Sequence, residues 1–274
     1  MPNRVRSRRL QAGRSGSMAA GHRSAGFLGA QVLSNAGNGV FRGPVGTNAF
    51  TAFWFKLDTI LAATYYSLFD IGIVANEVLG MRIDGPTGHL VSFKYDNSAG
   101  AGGPGVFGTV DSGFTPLAGQ WYYAECNWGG VVTSNIYDGT GTSVGGASGT
   151  PAGDGSYKQI LTPPLYLGQR SDGGFGITGE IDSFAHWRSG NPAGGTTLAA
   201  YLPDNGKARD YSDYAGSSQF SEVGAGQAAT TGTSLSVWYN FDQATGSPTW
   251  LDSNVNAVNL TATGTVTSQR GAGF

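Results

Sequence analysis

Turn chemistry recurs along this chain at intervals of roughly 10–15 residues, and short runs rich in aromatic and β-branched residues lie between the turns. Glycine fills 46 of 274 positions, more than twice its usual ~7% share. No amphipathic stretch keeps a helical period beyond two turns. Such a chain is expected to be all-β, a two-sheet antiparallel β-sandwich of the jelly-roll kind. Sandwiches reach roughly 200–250 residues as one domain. With 39% hydrophobic and 12% aromatic residues, a packed core needs no disulfide or metal staple.

The strands can be placed. Ala49 to Asp58 (AFTAFWFKLD) reads as a central strand buried on both faces. Tyr65 to Ile73 is a second run. Met81 to Asp84 and His89 to Tyr95 flank the turn Gly85-Pro86-Thr87-Gly88, a hairpin signal. Gln120 to Trp128 leads through Gly129-Gly130 to Val131–Tyr137 and the turn Asp138-Gly139. The stretch from Gly139 to Gly155 is poor in apolar residues and reads as a long loop. Ile160 to Gln169 and Gly179 to Trp187 form a late hairpin, and Thr197 to Leu202 is a short-helix candidate. The expected organisation is an Arg-rich arm over 1–24, a sandwich over 25–215, a small polar linker over 216–232, and C-terminal strands over 233–274. Those last strands either complete the sandwich or exchange with a neighbouring subunit.

Charge is split unevenly. Residues 1–57 hold eight basic and no acidic side chains, so the remainder holds eight basic against 18 acidic, a net −10. Arg4, Arg6, Arg8, Arg9, Arg14 and Arg23 cluster in the arm and are the candidate partner-anchoring residues. Their guanidinium groups suit docking on an acidic protein lattice. Without interleaved aromatics they argue against sequence-specific nucleic-acid recognition. A salt-sensitive phosphate contact and a solubilising tail stay open. The single Cys126 excludes an internal disulfide and reads as a small buried apolar residue. No apolar run is long enough for a membrane span. No continuous apolar segment follows the basic N-terminus, so no Sec signal peptide is expected.

Five motifs in order resemble laminin-G-like, concanavalin-type jelly rolls. They are Phe50-Thr51-Ala52-Phe53-Trp54-Phe55-Lys56, Gln120-Trp121-Tyr122-Tyr123-Ala124, Asn135-Ile136-Tyr137-Asp138-Gly139, Leu165 to Gly168, and Gly179 to Asp182. The resemblance covers roughly residues 40–190 and implies a binding or structural sandwich. Val237-Trp238-Tyr239-Asn240-Phe241-Asp242 with Leu251-Asp252-Ser253 is similar to the piece that usually opens such domains. Here it comes last, as in a circular permutation or a truncated repeat.

Glu180-Ile181-Asp182 also resembles the strand of family 16 glycoside hydrolases, which carries a further Glu two or three residues on. In this chain Phe184 or Ala185 stands there. Retaining hydrolysis needs two carboxyls about 5 Å apart, so no catalytic residue and no enzyme is expected. Calcium, with its 6–8 oxygen ligands, is a weaker site hypothesis. Asp70, Asp138 and Asp182 are its candidates, while Asp96, Asp138 and Asp172 also fit plain turn roles. No other cofactor is implied.

Lectin-like sandwiches normally work outside cells, yet no export signal is evident. A virion protein assembled in the host cytoplasm and released by lysis satisfies both. The sequence is read as a bacteriophage virion structural protein: a decoration, head-fibre or tail-associated subunit. Its expected partners are other virion proteins, further copies of itself and surface glycans, with no membrane. The alternatives are a bacterial carbohydrate-binding adhesin module and a jelly-roll capsid shell protein whose arm contacts the genome.

Overall fold

The computed structural model describes residues 23–41, 49–72, 77–96, 106–150, 162–189, 221–222, 234–241, 243–253 and 258–270. Among the described residues, seventeen strands build two sheets, antiparallel but for one short pair. They are β1 (Arg23–Leu28), β2 (Val32–Asn35), β3 (Phe50–Leu57), β4 (Tyr66–Gly72), β5 (Glu77–Ile83), β6 (Leu90–Asp96), β7 (Val106–Asp111), β8 (Trp121–Trp128) and β9 (Val132–Asp138). Then come β10 (Ser143–Gly149), β11 (Leu165–Leu167), β12 (Thr178–Ser189), β13 (Ser221–Glu222), β14 (Ser234–Tyr239), β15 (Thr249–Trp250), β16 (Leu260–Thr263) and β17 (Thr267–Arg270). The first sheet runs β10-β9-β8-β3-β12-β1-β17, with β14 also on β12 and β13 parallel to β14. The second runs β15-β16-β2-β11-β4-β5-β6-β7.

The inner faces form the core. Phe53 and Phe55 of β3, Phe69 of β4 and Phe184 of β12 are fully buried. Phe69 meets Phe53 and Phe184 edge-on, each at 5.3 Å, the geometry aromatic quadrupoles favour. A few polar groups cross this core in pairs. Trp128 Nε1 donates to Thr51 Oγ1, which lies 2.9 Å from His186 Nδ1. The Cys126 thiol donates to Ser92 Oγ at 3.4 Å.

The expected strands are present, and β3 is central between β8 and β12. Four readings are corrected. The late hairpin does not form: β11 pairs with β2 and β4 in the second sheet, while β12 pairs with β3, β1 and β14 in the first, so the glycine-rich turn between them crosses from one sheet to the other. The Gly139–Gly155 stretch is not one long loop, because β10 pairs with β9 through six residue pairs. Its Ser/Gly/Ala sequence lacks apolar alternation because it is an edge strand, exposed along one face. Arg23 and Ser24 belong to β1 and not to the arm. Ser221–Glu222, placed in the linker, forms the short β13. The Thr197–Leu202 helix candidate lies outside the described residues.

The C-terminal strands pair within the chain. β14 lies on β12 and β17 on β1 in the first sheet, while β16 lies on β2 in the second. Tyr239, Phe241 and Trp250 from this segment are buried in the shared core.

Candidate functional site

The Glu180-Ile181-Asp182 strand sits at the centre of the first sheet. β12 faces β3 with Glu180 opposite Lys56, Asp182 opposite Trp54 and Ala185 opposite Ala52. A β-bulge intervenes between Asp182 and Ala185, and Ser183 in it takes a left-handed backbone (φ 48°). Ile181 and Phe184 point into the core. Glu180, Asp182 and Ala185 therefore share the opposite face, so Ala185 occupies the place a second catalytic carboxylate would need.

Glu180 is already committed. Its carboxylate pairs with Lys56 Nζ and accepts a hydrogen bond from Ser24 Oγ. Lys56 also lies 5.5 Å from the Trp121 ring centroid. The same sheet face carries Trp54 against Tyr123 at 5.4 Å and Trp187 against Trp238 at 6.1 Å. Asp182, Trp54, Ala185, Trp187 and Glu125 are all buried. This face is a packed polar–aromatic layer, not an open cleft.

The calcium candidates are not brought together. Asp70 lies in β4 of the second sheet, Asp138 ends β9 of the first, and Asp182 lies in β12. Among the described residues no three His, Cys, Asp or Glu side chains group as metal ligands. Asp138 caps its turn, accepting hydrogen bonds from Thr140 N at 2.8 Å, Thr140 Oγ1 at 2.6 Å and Thr142 N at 3.0 Å. Slight burial opposes them, yet these bonds hold its carboxyl below the usual range. Asp172 does similar work in its own turn, bonded by Arg170 and by Gly174 N. Of the anchoring arginines, Arg23 is exposed on β1 and donates to Ser268 Oγ. Arg4, Arg6, Arg8, Arg9 and Arg14 lie outside the described residues.

The outward face of the second sheet carries a different cluster. Leu79, Met81 and Ile83 of β5 point into the core, so Gly80 and Arg82 point outward. The Arg82 guanidinium lies over both Tyr65, at 5.0 Å, and Phe93, at 5.2 Å. Tyr65 stacks on Phe175 at 5.0 Å and 30°. Arg170 lies over Phe175 at 4.1 Å and binds Asp172 with two nitrogens. The result is a five-member ladder of cationic and aromatic planes, Phe93–Arg82–Tyr65–Phe175–Arg170, with two aromatic rings stacked between the arginines. The β11–β12 turn supplies its last two members. There Phe175 has a left-handed backbone (φ 58°), an unusual conformation for a bulky side chain. Its carbonyl is held by Ser67 N at 2.7 Å.

Beside the ladder lies Asp70, opposite Gly80 and Tyr166 on the neighbouring strands. A Cβ on Gly80 would fall 3.0 Å from Asp70 Oδ1 and 2.8 Å from the Phe93 ring, so glycine leaves the room this carboxyl occupies. Asp70 accepts from Ser67 Oγ at 2.8 Å and from Ser171 N at 3.1 Å. Burial pushes its carboxyl up to about 6, against those hydrogen bonds and nearby Arg170. Burial likewise lowers Arg82, against Asp84 and Tyr65. Tyr65, Tyr166, Arg170 and Phe175 stay half-exposed. Shifted titration beside half-exposed aromatic rings marks this as the better candidate site. Sequence reasoning missed it, because its members are scattered from position 65 to 175. The one local signal was Asp172-Gly173-Gly174-Phe175-Gly176, a glycine run around a lone aromatic.

No protein-family profile and no curated protein matches the chain. Solved structures resemble it. A native heptameric SAP-like pentraxin from Limulus polyphemus has TM-score 0.46 and 14% identity, over 68% of this chain and 85% of that one. Domain 4 of an extracellular arabinanase from Geobacillus stearothermophilus, in complex with arabinotriose, has TM-score 0.44 and 16% identity, over 64% and 76%. Tailspike protein 2 of an Escherichia coli O157:H7 bacteriophage has TM-score 0.41 and 18% identity, over 59% of this chain and 22% of that one. Likenesses of this degree carry no functional argument. The chain is a two-sheet β-sandwich, and its own residues carry any statement of function.

Proposed function

We propose that this chain is a glycan-binding, non-hydrolytic sandwich that serves as a virion structural subunit. The ladder site carries the binding half of the reading. Sugars are held by aromatic ring faces or edges together with planar hydrogen-bonding groups. The half-exposed Tyr65 and Phe175 beside the Arg170–Asp172 pair offer both. Ala185 at the bulge supports the non-hydrolytic half, since it stands where the further catalytic glutamate of a Glu-x-Asp strand would be needed. The virion half rests on the Arg-rich N-terminus of a chain whose remainder is net −10. Several copies on one particle would turn weak sugar binding into avidity. The same chemistry would serve a bacterial adhesin, so a particle has to be sought directly.

The test is a glycan-array screen of the full chain beside Tyr65→Ala and Phe175→Ala, with and without calcium. Binding that falls at least tenfold in both variants, with β-sheet circular dichroism retained, supports the site. Absence of binding by the native chain, or equal binding by folded variants, overturns it.

A further inference from the structure

Among the described residues β10 ends the first sheet, and β9 is its one strand partner. An edge strand displays a row of backbone donors and acceptors ready to pair with another chain. Proteins usually blunt such edges with charges, proline or shortness. β10 has none of these. Ser143-Val144-Gly145-Gly146-Ala147-Ser148-Gly149 is seven residues long and holds no charged residue and no proline. Its register is regular from Gly145 to Gly149, with one shift at its start.

The other edges differ. β17 is four residues long, ends in Arg270 and lies against β1, which opens with Arg23. β13 and β15 have two residues each. β7 ends at Asp111, whose carboxylate lies 2.9 Å from His89 Nδ1.

β10 is also sterically prepared. Gly145 and Gly149 turn toward Phe114 and Val110, where a Cβ would sit 2.5 and 3.4 Å away. Packing therefore explains the inward glycines. A Cβ on Gly146 would likewise fall 2.8 Å from the Ser134 carbonyl oxygen, so packing accounts for that glycine too, while Val144 and Ser148 on the same face are exposed and uncharged. From β1 onward the chain carries 11 basic against 18 acidic side chains, a net −7, and a neutral flank is where like-charged copies approach at least cost.

We infer that β10 is a self-association edge: two copies pair their β10 strands antiparallel across a two-fold axis, joining their first sheets. The strand is self-complementary in that register. With Gly146 on the axis, Ser148 of each copy faces Val144 of the other and Ala147 faces Gly145, so no charge or bulky side chain meets its like. A two-fold contact of this kind closes on itself, and its main-chain pairing is the general mode of strand addition. The inference stands apart from what the sandwich binds.

Sedimentation velocity of the full chain, across a hundredfold range of concentration, tests it beside the double variant Val144→Lys/Ser148→Lys. Both positions are exposed, and circular dichroism checks that the variant folds. The expected result is a concentration-dependent dimer for the native chain and a shift to monomer at every concentration for the variant. Amide exchange over 143–149 should slow as the native dimer forms. A native monomer throughout, or an oligomer that keeps its mass in the folded variant, overturns the inference. Should the variant misfold, amide exchange of the native chain decides alone: protection over 143–149 that ignores concentration contradicts the dimer.

Discussion

Lys56 and Glu180 show how a residue that looks catalytic in sequence can be structural. Glu180 is buried and satisfied by Lys56 and Ser24. Removing one partner of a buried ion pair leaves the other charge uncompensated, at a cost of about 3–5 kcal/mol. Lys56→Ala should lose stability near the low end of that range, because the Lys56 side chain keeps some solvent contact. Urea denaturation at pH 7 measures it. Two other buried groups set opposing pH trends. Burial holds His186 down to about 3, below its ordinary 6.5, so its contribution is complete above pH 6.5 and fades as pH falls toward 3. Asp70, raised from 3.8 to about 6, contributes fully below pH 3.8 and loses that contribution as pH rises through 6. Asp70→Asn should therefore be more stable than the native chain at pH 8, by on the order of 2–3 kcal/mol, and should show no such gain at pH 4. Urea midpoints across pH for both proteins check the sign. The raised titration of Asp70 was not legible in sequence, where it looked like one more rim carboxylate. Its state depends on Gly80, Phe93 and Ser171, which only the fold brings near.

At the scale of elements, strands with alternating or doubly apolar patterns announced themselves. β3, β8 and β12 are buried on both faces, and their aromatic runs are the visible cause. β10 left no such mark, because an edge strand of small residues satisfies pairing without any apolar pattern. The β12 bulge was half legible: the motif left Phe184 and Ala185 open, and the left-handed Ser183 selects Ala185 for the outward face. A β-branched residue at that φ is strained. Ser183→Val should cost about 1–3 kcal/mol, while Ser183→Gly should be tolerated. Thermal melting of the two variants separates them.

For the whole molecule, the C-terminal segment decides whether a sandwich exists at all. It supplies β14 and β17 to the first sheet and β15 and β16 to the second, and it buries Tyr239, Phe241 and Trp250 in the common core. A chain ending at residue 233 should lose cooperative unfolding and aggregate, whereas a separable second unit would leave the first intact. The sequence left exchange with a neighbour open because pairing partners far apart along a chain leave no local trace. The arm's role was legible only as charge, and no geometry among the described residues adds to it. The most direct measurement of the central claim is sedimentation of the source material on a density gradient, with this chain followed by mass spectrometry, beside particles assembled with a chain lacking residues 1–22. The account predicts co-migration of the full chain with virus particles and loss of the shortened chain to the soluble fractions. A full chain absent from particles would contradict the virion assignment, and a shortened chain that stays bound would contradict anchoring by the arm.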